Sequence, residues 1–133
     1  MTKGGTIKKL EEDVYKHLKE RGWHELRPGD LAKSIAIESG ELLEIFQWAN
    51  PVLSDVKKDK EKMKKISGKL ADVLTYCLDL STSLGLNTEK IVRRQLAKVK
   101  KKYPARLMKK MAKESEPGTD SNYWQIKKVH RGK

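Results

Sequence analysis

The sequence predicts an all-α protein, and three observations support that prediction. Strand patterns are nearly absent from the 133 residues. Apolar residues recur at helical spacing, as in the stripe Ile7, Leu10, Val14 and Leu18. Signals that stop a helix separate the stripes, namely Gly22, Asn50-Pro51, Gly85 and Tyr103-Pro104.

The first two helices are delimited by capping residues. Helix one is predicted from Thr6, which can cap its N-terminus, to Arg21. Helix two is predicted from Asp30, a favourable N-cap, to about Ala49. The segment Trp23–Gly29 between them is predicted to be a loop.

A lysine-rich stretch precedes the third helix. It is predicted to be helical from Ser54 onwards and to lead into helix three, which ends at Leu84. Gly68 is expected to mark a break or a close helix contact. The core-facing residues of helix three are expected to be apolar and to include the only cysteine, Cys77, as a small buried side chain.

Helix four is predicted to begin at a cap provided by Asn87 or Thr88 and to reach Lys102. Four of its apolar residues are expected to face inward, namely Ile91, Val92, Leu96 and Val99. A short amphipathic piece, Leu107–Met111, is expected to follow.

One domain accounts for a chain of this length. We assign residues 1–113 to a helical domain and residues 114–133 to a linker and C-terminal tail, because the segment Glu114–Asn122 is polar and turn-rich. The aromatic residues in Tyr123–Ile126 suggest that the tail docks on the body or on a neighbouring subunit.

The formal net charge is +12. Ten basic residues and no acidic residue lie from Arg93 to Lys113. This charge favours polyanionic partners, either nucleic acid or nucleotide phosphates. A solvated lysine-rich surface would give the same composition, so both interpretations stay open here.

Composition also excludes several classes of protein. One cysteine permits neither a disulfide framework nor a cysteine-based zinc cluster. The N-terminus lacks the apolar core of a signal peptide, and no stretch approaches the roughly 18 apolar residues of a membrane span. We therefore expect no membrane insertion and a cytoplasmic location.

Acidic residues within otherwise apolar helices are the most informative feature. Glu38, Glu41 and Glu44 are spaced three apart on helix two, so they share one surface. Asp72 lies in an apolar run of helix three. Two polar residues follow it on the same stripe, namely Tyr76 and Asp79. Carboxylates from two helices can hold Mg²⁺, which prefers oxygen ligands, whereas the alternative is an ordinary solvated acidic face.

Two segments resemble the signatures of a known family. Ile37-Glu-Ser-Gly-Glu-Leu-Leu-Glu-Ile-Phe-Gln-Trp48 resembles the first signature of the MazG-like and dCTP-pyrophosphatase-like proteins, and Leu70-Ala-Asp-Val-Leu-Thr-Tyr76 resembles the second. Arg21-Gly-Trp23 and Lys102-Tyr-Pro104 look like further landmarks of that family. The resemblance covers about Leu10 to Pro104.

The resemblance implies a four-helix bundle that assembles as a homodimer or homotetramer. It also implies Mg²⁺-dependent cleavage of a nucleoside triphosphate to the monophosphate and pyrophosphate, with Mn²⁺ as a possible substitute for Mg²⁺. The implied metal ligands are Glu38, Glu41 and Asp72.

The resemblance further implies an aromatic base pocket formed by Trp23, Trp48 and Tyr76, since aromatic rings stack on any nucleobase. Core or dimer packing of the two tryptophans is the alternative. Glu44 is the neighbouring carboxylate that would polarise the attacking water. Lys98 and Lys102 could contact the phosphates.

Three residues depart from the family pattern. Lys69 stands where the third metal-ligating glutamate is expected, and Gln95 and Val99 replace a lysine and an asparagine. Three roles for Lys69 stay open. It could pair with Asp72 at i, i+3, its ammonium could occupy the space of the metal ion, or the site could work with a weakened single metal.

The leading function from sequence is therefore a house-cleaning nucleoside triphosphate pyrophosphohydrolase, impaired by Lys69. The first alternative is a non-catalytic nucleotide-binding or regulatory relative that has lost the metal chemistry. The second is a basic helical module that binds nucleic acid. We do not expect nucleic acid as the partner, because the chain carries no helix-turn-helix or zinc-finger signature.

Overall fold

Every regular element is helical in the computed structural model, which describes residues 5–113 and 123–131. The all-α prediction is confirmed. The helices are α1 (Ile7–Glu20), α2 (Pro28–Glu44), α3 (Leu53–Lys58), α4 (Lys60–Ser83), α5 (Thr88–Lys102), α6 (Ala105–Lys113) and α7 (Tyr123–His130). Within the described ranges, no helix combines the length and the apolar character needed to cross a membrane.

Both ends of α1 are set by local hydrogen bonds, as predicted. The Thr6 hydroxyl accepts a hydrogen bond from the Lys9 backbone N–H at 3.1 Å, which caps the N-terminus. Gly22 follows the helix with φ +71°, a conformation that costs glycine little. The Trp23 N–H then donates to the Leu18 carbonyl at 2.8 Å. This closing turn fixes where Trp23 leaves the helix.

Both predicted ends of α2 were wrong. The helix begins at Pro28, two residues before Asp30, because proline is pre-organised for the first helical position and needs no N–H partner there. It ends at Glu44 rather than near Ala49. Tight i→i+3 bonds close the last turn, including Gln47 N–H to the Glu44 carbonyl at 3.1 Å.

The lysine-rich stretch is helical, but its break lies at Asp59 and not at Gly68. Asp59 has extended backbone angles and its carboxylate accepts from the Lys62 N–H at 3.0 Å. It therefore ends α3 and caps α4. Gly68 lies inside the continuous α4, and a Cβ placed there would have no atom within 4 Å, so it marks no close helix contact.

The cap of α5 agrees with the prediction, since the Asn87 side chain accepts from the Lys90 N–H at 2.9 Å. The amphipathic piece after Pro104 is α6, and the aromatic tail segment lies in α7. The predicted linker Glu114–Asn122 lies outside the described residues. The division of the chain at residue 113 stays a prediction.

The described residues form two compact units divided between Ile91 and Val92, so the boundary falls within α5. In the first unit α1 and α2 both pack on α4, and α3 contacts it. Three apolar side chains, one from each of the main helices, are almost fully enclosed, namely Leu18, Leu31 and Leu78. This core is small, so each helix also leaves apolar side chains in contact with solvent.

Two predictions of burial were wrong, because the core is small and does not cover every apolar face. Cys77 is exposed, because it lies on the outer face of α4 alongside Leu74, which is 54% exposed. The apolar residues of α5 expected to face inward are also exposed, namely Ile91, Val92, Leu96 and Val99. An amphipathic pattern identifies an apolar face but not whether the same chain covers it.

Candidate active site

Packing of α2 on α4 brings acidic residues from both helices around one lysine. The Lys69 Nζ lies 3.4 Å from Glu38 Oε2 and 3.7 Å from Asp72 Oδ2, and it donates a hydrogen bond to the Glu41 carboxylate. Glu38 is the most sheltered of the three carboxylates, with 19% of its side chain exposed. We refer to Glu38, Glu41, Asp72 and the central Lys69 as the carboxylate cluster.

Lys69 and Glu41 shift each other's pKa. Hydrogen bonding to Glu41 is the main reason that the pKa of the Lys69 ammonium lies above its ordinary value, so the side chain stays charged. The same hydrogen bond lowers the pKa of the Glu41 carboxyl. Three carboxylates and one ammonium leave the cluster with two net negative charges.

The cluster does not fit the divalent metal ion that the resemblance implies. A protonated ammonium has no lone pair to offer a metal, and here it occupies the position at which the carboxylates converge. Within the described part of the chain, no group of three or more histidine, cysteine, aspartate or glutamate side chains could hold a metal ion. The roles of Glu38, Glu41 and Asp72 as ligands therefore stay predictions.

A charged groove of about 680 Å³ adjoins the cluster. Its acidic lining includes Glu41 and Glu44, and its basic lining is a row on α4 formed by Lys62, Lys65 and Lys69. These lysines recur at three- and four-residue spacing, so they share one face of the helix. Lys62 and Lys65 were not predicted as site residues from the sequence, although their spacing from Lys69 was a sufficient signal.

An aromatic cavity of about 350 Å³ lies between α1, α2 and α4. Trp23 and Tyr76 both line it, and so does Asp72 of the carboxylate cluster. The role of the two aromatic residues in a base pocket stays a prediction. His17 lines the cavity as well, with its ring centroid 6.2 Å from that of Trp23. His17 was missed, although it follows Val14 by three residues and so continues the inward stripe of α1.

Asp79 is a buried acid in the wall of this aromatic cavity. It is 5% exposed, and among the described residues its Oδ1 has no hydrogen-bond partner. Burial raises the pKa of its carboxyl, and attraction to His17 opposes that shift. Burial of the charged Asp79 carboxylate is therefore unfavourable, and protonation of the carboxylate would remove that cost.

The remaining predicted site residues are placed less centrally. Trp48 lies in the turn after α2 and is 90% exposed, so it does not pack in the core of this chain. Glu44 is exposed on the groove wall. The α5 residues Lys98, Lys102, Gln95 and Val99 belong to the second unit, and their part in substrate binding stays a prediction.

Fold and site together define an all-α protein with a carboxylate cluster held between two packed helices and an aromatic cavity beside it. A model of the MazG-like family matches residues 33–116, which include both signature segments. The chain belongs to the MazG-like family.

A solved structure supports this assignment. The crystal structure of a pyrophosphatase from Archaeoglobus fulgidus DSM 4304 is similar to this chain, with a TM-score of 0.64 and 32% sequence identity. The match covers 78% of this chain and 97% of the other. A search of curated proteins finds no match.

Proposed function

We propose that this protein is a house-cleaning nucleoside triphosphate pyrophosphohydrolase whose turnover is restrained by Lys69. The observation that carries the proposal is the position of Asp72, which lines the aromatic cavity and also belongs to the carboxylate cluster. A base bound in the cavity would thus have its phosphates beside the acidic groups. The pyrophosphatase activity of the similar archaeal protein agrees with this reaction class.

The aromatic cavity would hold the nucleobase. Trp23 and Tyr76 offer aromatic faces, and stacking contributes roughly 1–3 kcal/mol per base. Asp30 and Ser34 line the same cavity and supply oxygen atoms for the edge of the base. Trp48 is available in solvent to complete the pocket.

The phosphates would extend from Asp72 towards the charged groove. Lys62 and Lys65 line this groove and can offset the charge of a polyphosphate. In the proposed reaction water attacks a phosphorus of the α–β anhydride and pyrophosphate leaves. Glu44, on the groove wall, is the carboxylate proposed to polarise that water. Lys98 and Lys102 stay proposed phosphate contacts.

Mg²⁺ or Mn²⁺ is the cofactor that the family resemblance implies. The residues present do not fit a resident divalent ion, because the Lys69 ammonium occupies the position at which the carboxylates converge. This misfit favours the second candidate function, a nucleotide-binding relative without catalysis.

We further propose that the protein assembles as a homodimer or homotetramer in the cytoplasm. Apolar residues of α2 that no described residue covers support assembly, since Ile37 is 61% and Leu43 is 69% exposed. The proposed substrate is a nucleoside triphosphate rather than nucleic acid.

One experiment tests the function and separates the candidates. Pyrophosphate release and nucleotide affinity are measured across canonical and modified triphosphates, with and without Mg²⁺. Binding with release supports the enzyme, whereas binding without release at any enzyme concentration supports the second candidate. Failure to bind any triphosphate, together with salt-dependent binding to DNA or RNA, would overturn both.

A further inference from the structure

A single cation at the convergence of three anions is the least expected feature of the molecule. Glu38 and Glu41 come from α2, whereas Asp72 and Lys69 come from α4. The Lys69 ammonium has three N–H donors, and three carboxylates lie within ion-pair distance of it. An ordinary surface lysine would not be expected to lie within ion-pair distance of three carboxylates from two helices.

We propose that the Lys69 ammonium is the resident cation of the carboxylate cluster, where it joins α2 to α4 and keeps divalent metal ions out. Cation binding and stability can both be measured without nucleotide, so neither depends on the proposed activity.

Charge gives the first argument. The family pattern that the sequence resembles would place a fourth carboxylate at position 69. Replacing that carboxylate by an ammonium raises the local charge by two units, the charge of one divalent ion. Lys69 therefore leaves the cluster with the net charge that a metal-loaded cluster of four carboxylates would have, without a metal.

Geometry gives the second argument. A divalent ion shared by Glu38 and Glu41 would have to lie within a few ångströms of the Lys69 Nζ. Like charges at that separation repel strongly, and the ammonium removes a ligand instead of supplying one.

Burial gives the third argument. Glu38 exposes only 19% of its side chain, and Glu41 of the same helix lies next to it in the cluster. Two neighbouring carboxylates repel each other, and a cation between them offsets that repulsion. The effect is strongest at Glu38, because Glu41 is 40% and Asp72 is 51% exposed to screening water. Lys69 is the only lysine or arginine among the described residues with an ion pair to Glu38 or Glu41.

The test measures cation binding and thermal unfolding on the full chain. Mn²⁺ binding is followed by the loss of the free-ion EPR signal, and the melting temperature is recorded in EDTA and in millimolar Mg²⁺. The variants are Lys69→Ala, Lys69→Glu and the charge-retaining Lys69→Arg. Lys65→Ala is the matched control, because it removes the same charge one turn away in the same groove.

We expect wild type, Lys69→Arg and Lys65→Ala to bind Mn²⁺ weakly. The melting temperature of each of these proteins should be the same in EDTA and in Mg²⁺. Lys69→Ala should melt lower in EDTA and regain its stability in Mg²⁺, because a ligand that binds only the folded state stabilises it. Lys69→Glu should bind Mn²⁺ more than about tenfold tighter than wild type.

Two results would overturn the inference. One is wild-type protein that binds Mn²⁺ as tightly as Lys69→Ala. The other is a Lys69→Ala protein that melts like wild type and does not respond to Mg²⁺. If Lys69→Ala does not fold even in Mg²⁺, the wild-type and Lys69→Arg affinities still decide the matter, since tight Mn²⁺ binding by either contradicts exclusion.

Discussion

The Lys69 ammonium of α4 and the Glu38 carboxylate of α2 form an ion pair between residues 31 positions apart in the chain, with Nζ 3.4 Å from Oε2. Glu38 is the more sheltered partner. The pair therefore links two helices at the place where the family resemblance implies a metal ion.

Lys69→Glu should raise pyrophosphate release from nucleoside triphosphates by more than about tenfold in Mg²⁺. The change removes the central ammonium and supplies the missing carboxylate. Lys57→Glu on α3 makes the same change of charge outside both the carboxylate cluster and the groove, so it should not raise the rate. Pyrophosphate is measured by a coupled assay at saturating nucleotide.

Gln95 and Val99 are the two other departures from the family pattern, and they could limit turnover even after metal binding is restored. If Lys69→Glu binds Mg²⁺ but does not release pyrophosphate, adding Gln95→Lys and Val99→Asn should restore turnover, because these restore the residues of the family pattern. A triple variant that binds metal and nucleotide but stays inactive would contradict the proposed pyrophosphohydrolase function.

Trp23→Ala should weaken nucleotide binding by about 1–3 kcal/mol, the contribution of one stacked base. The reason is the position of the Trp23 ring in the wall of the aromatic cavity. Titration calorimetry with a non-hydrolysable triphosphate measures the affinity. Trp124→Ala is the control, because Trp124 is an exposed tryptophan on α7. Equal affinities for the two variants would remove Trp23 from the base pocket.

Trp48→Ala should also weaken nucleotide binding by about 1–3 kcal/mol if the ring closes over the base. Trp48 is 90% exposed, so its removal should leave the free energy of unfolding of the single chain almost unchanged. The affinity and a urea titration of the same variant separate these effects. A folded variant with unaltered affinity would exclude Trp48 from the base pocket.

Asp79→Asn should stabilise the protein at neutral pH, because asparagine removes a charge whose burial is unfavourable. Burial raises the folded-state pKa of Asp79 above its ordinary value of 3.8. Protonated Asp79 therefore contributes its full stability to the folded state below about pH 3.8. That contribution is lost as the pH rises through the pKa of Asp79 in the folded state. Asparagine does not ionise, so its advantage over aspartate should grow from pH 4 to pH 7.

Urea unfolding at several pH values checks this dependence. Asp55→Asn, which removes an exposed carboxylate from α3, is the control and should show no comparable growth. If the difference in free energy of unfolding between wild type and Asp79→Asn does not change with pH, ionisation of Asp79 does not destabilise the folded state.

Assembly gives the last prediction. Light scattering should report a mass two or four times 15.3 kDa. The reason is that α2 exposes large apolar side chains, whose burial is favourable by about 25 cal/mol per Å². Leu43→Asp should shift the protein towards the monomer, whereas Lys57→Asp on α3 should not. A wild-type monomer at micromolar concentration would contradict assembly.

The sequence by itself determined the helical class and the features that depend on near neighbours. The Thr6 and Asn87 caps and the turn at Gly22 were predicted correctly, because each depends on bonds that reach only a few residues along the chain. The acidic residues were also recognisable, since their spacing and the family signatures are local patterns.

The tertiary structure decided which faces are covered and which residues meet. Periodicity alone placed Cys77 and the apolar face of α5 inside, yet both are exposed, because burial depends on what packs against a face. The sequence left three roles open for Lys69. Only the packing of α2 on α4 placed its ammonium among carboxylates from both helices, since contacts between residues about 30 positions apart depend on how helices pack and not on spacing.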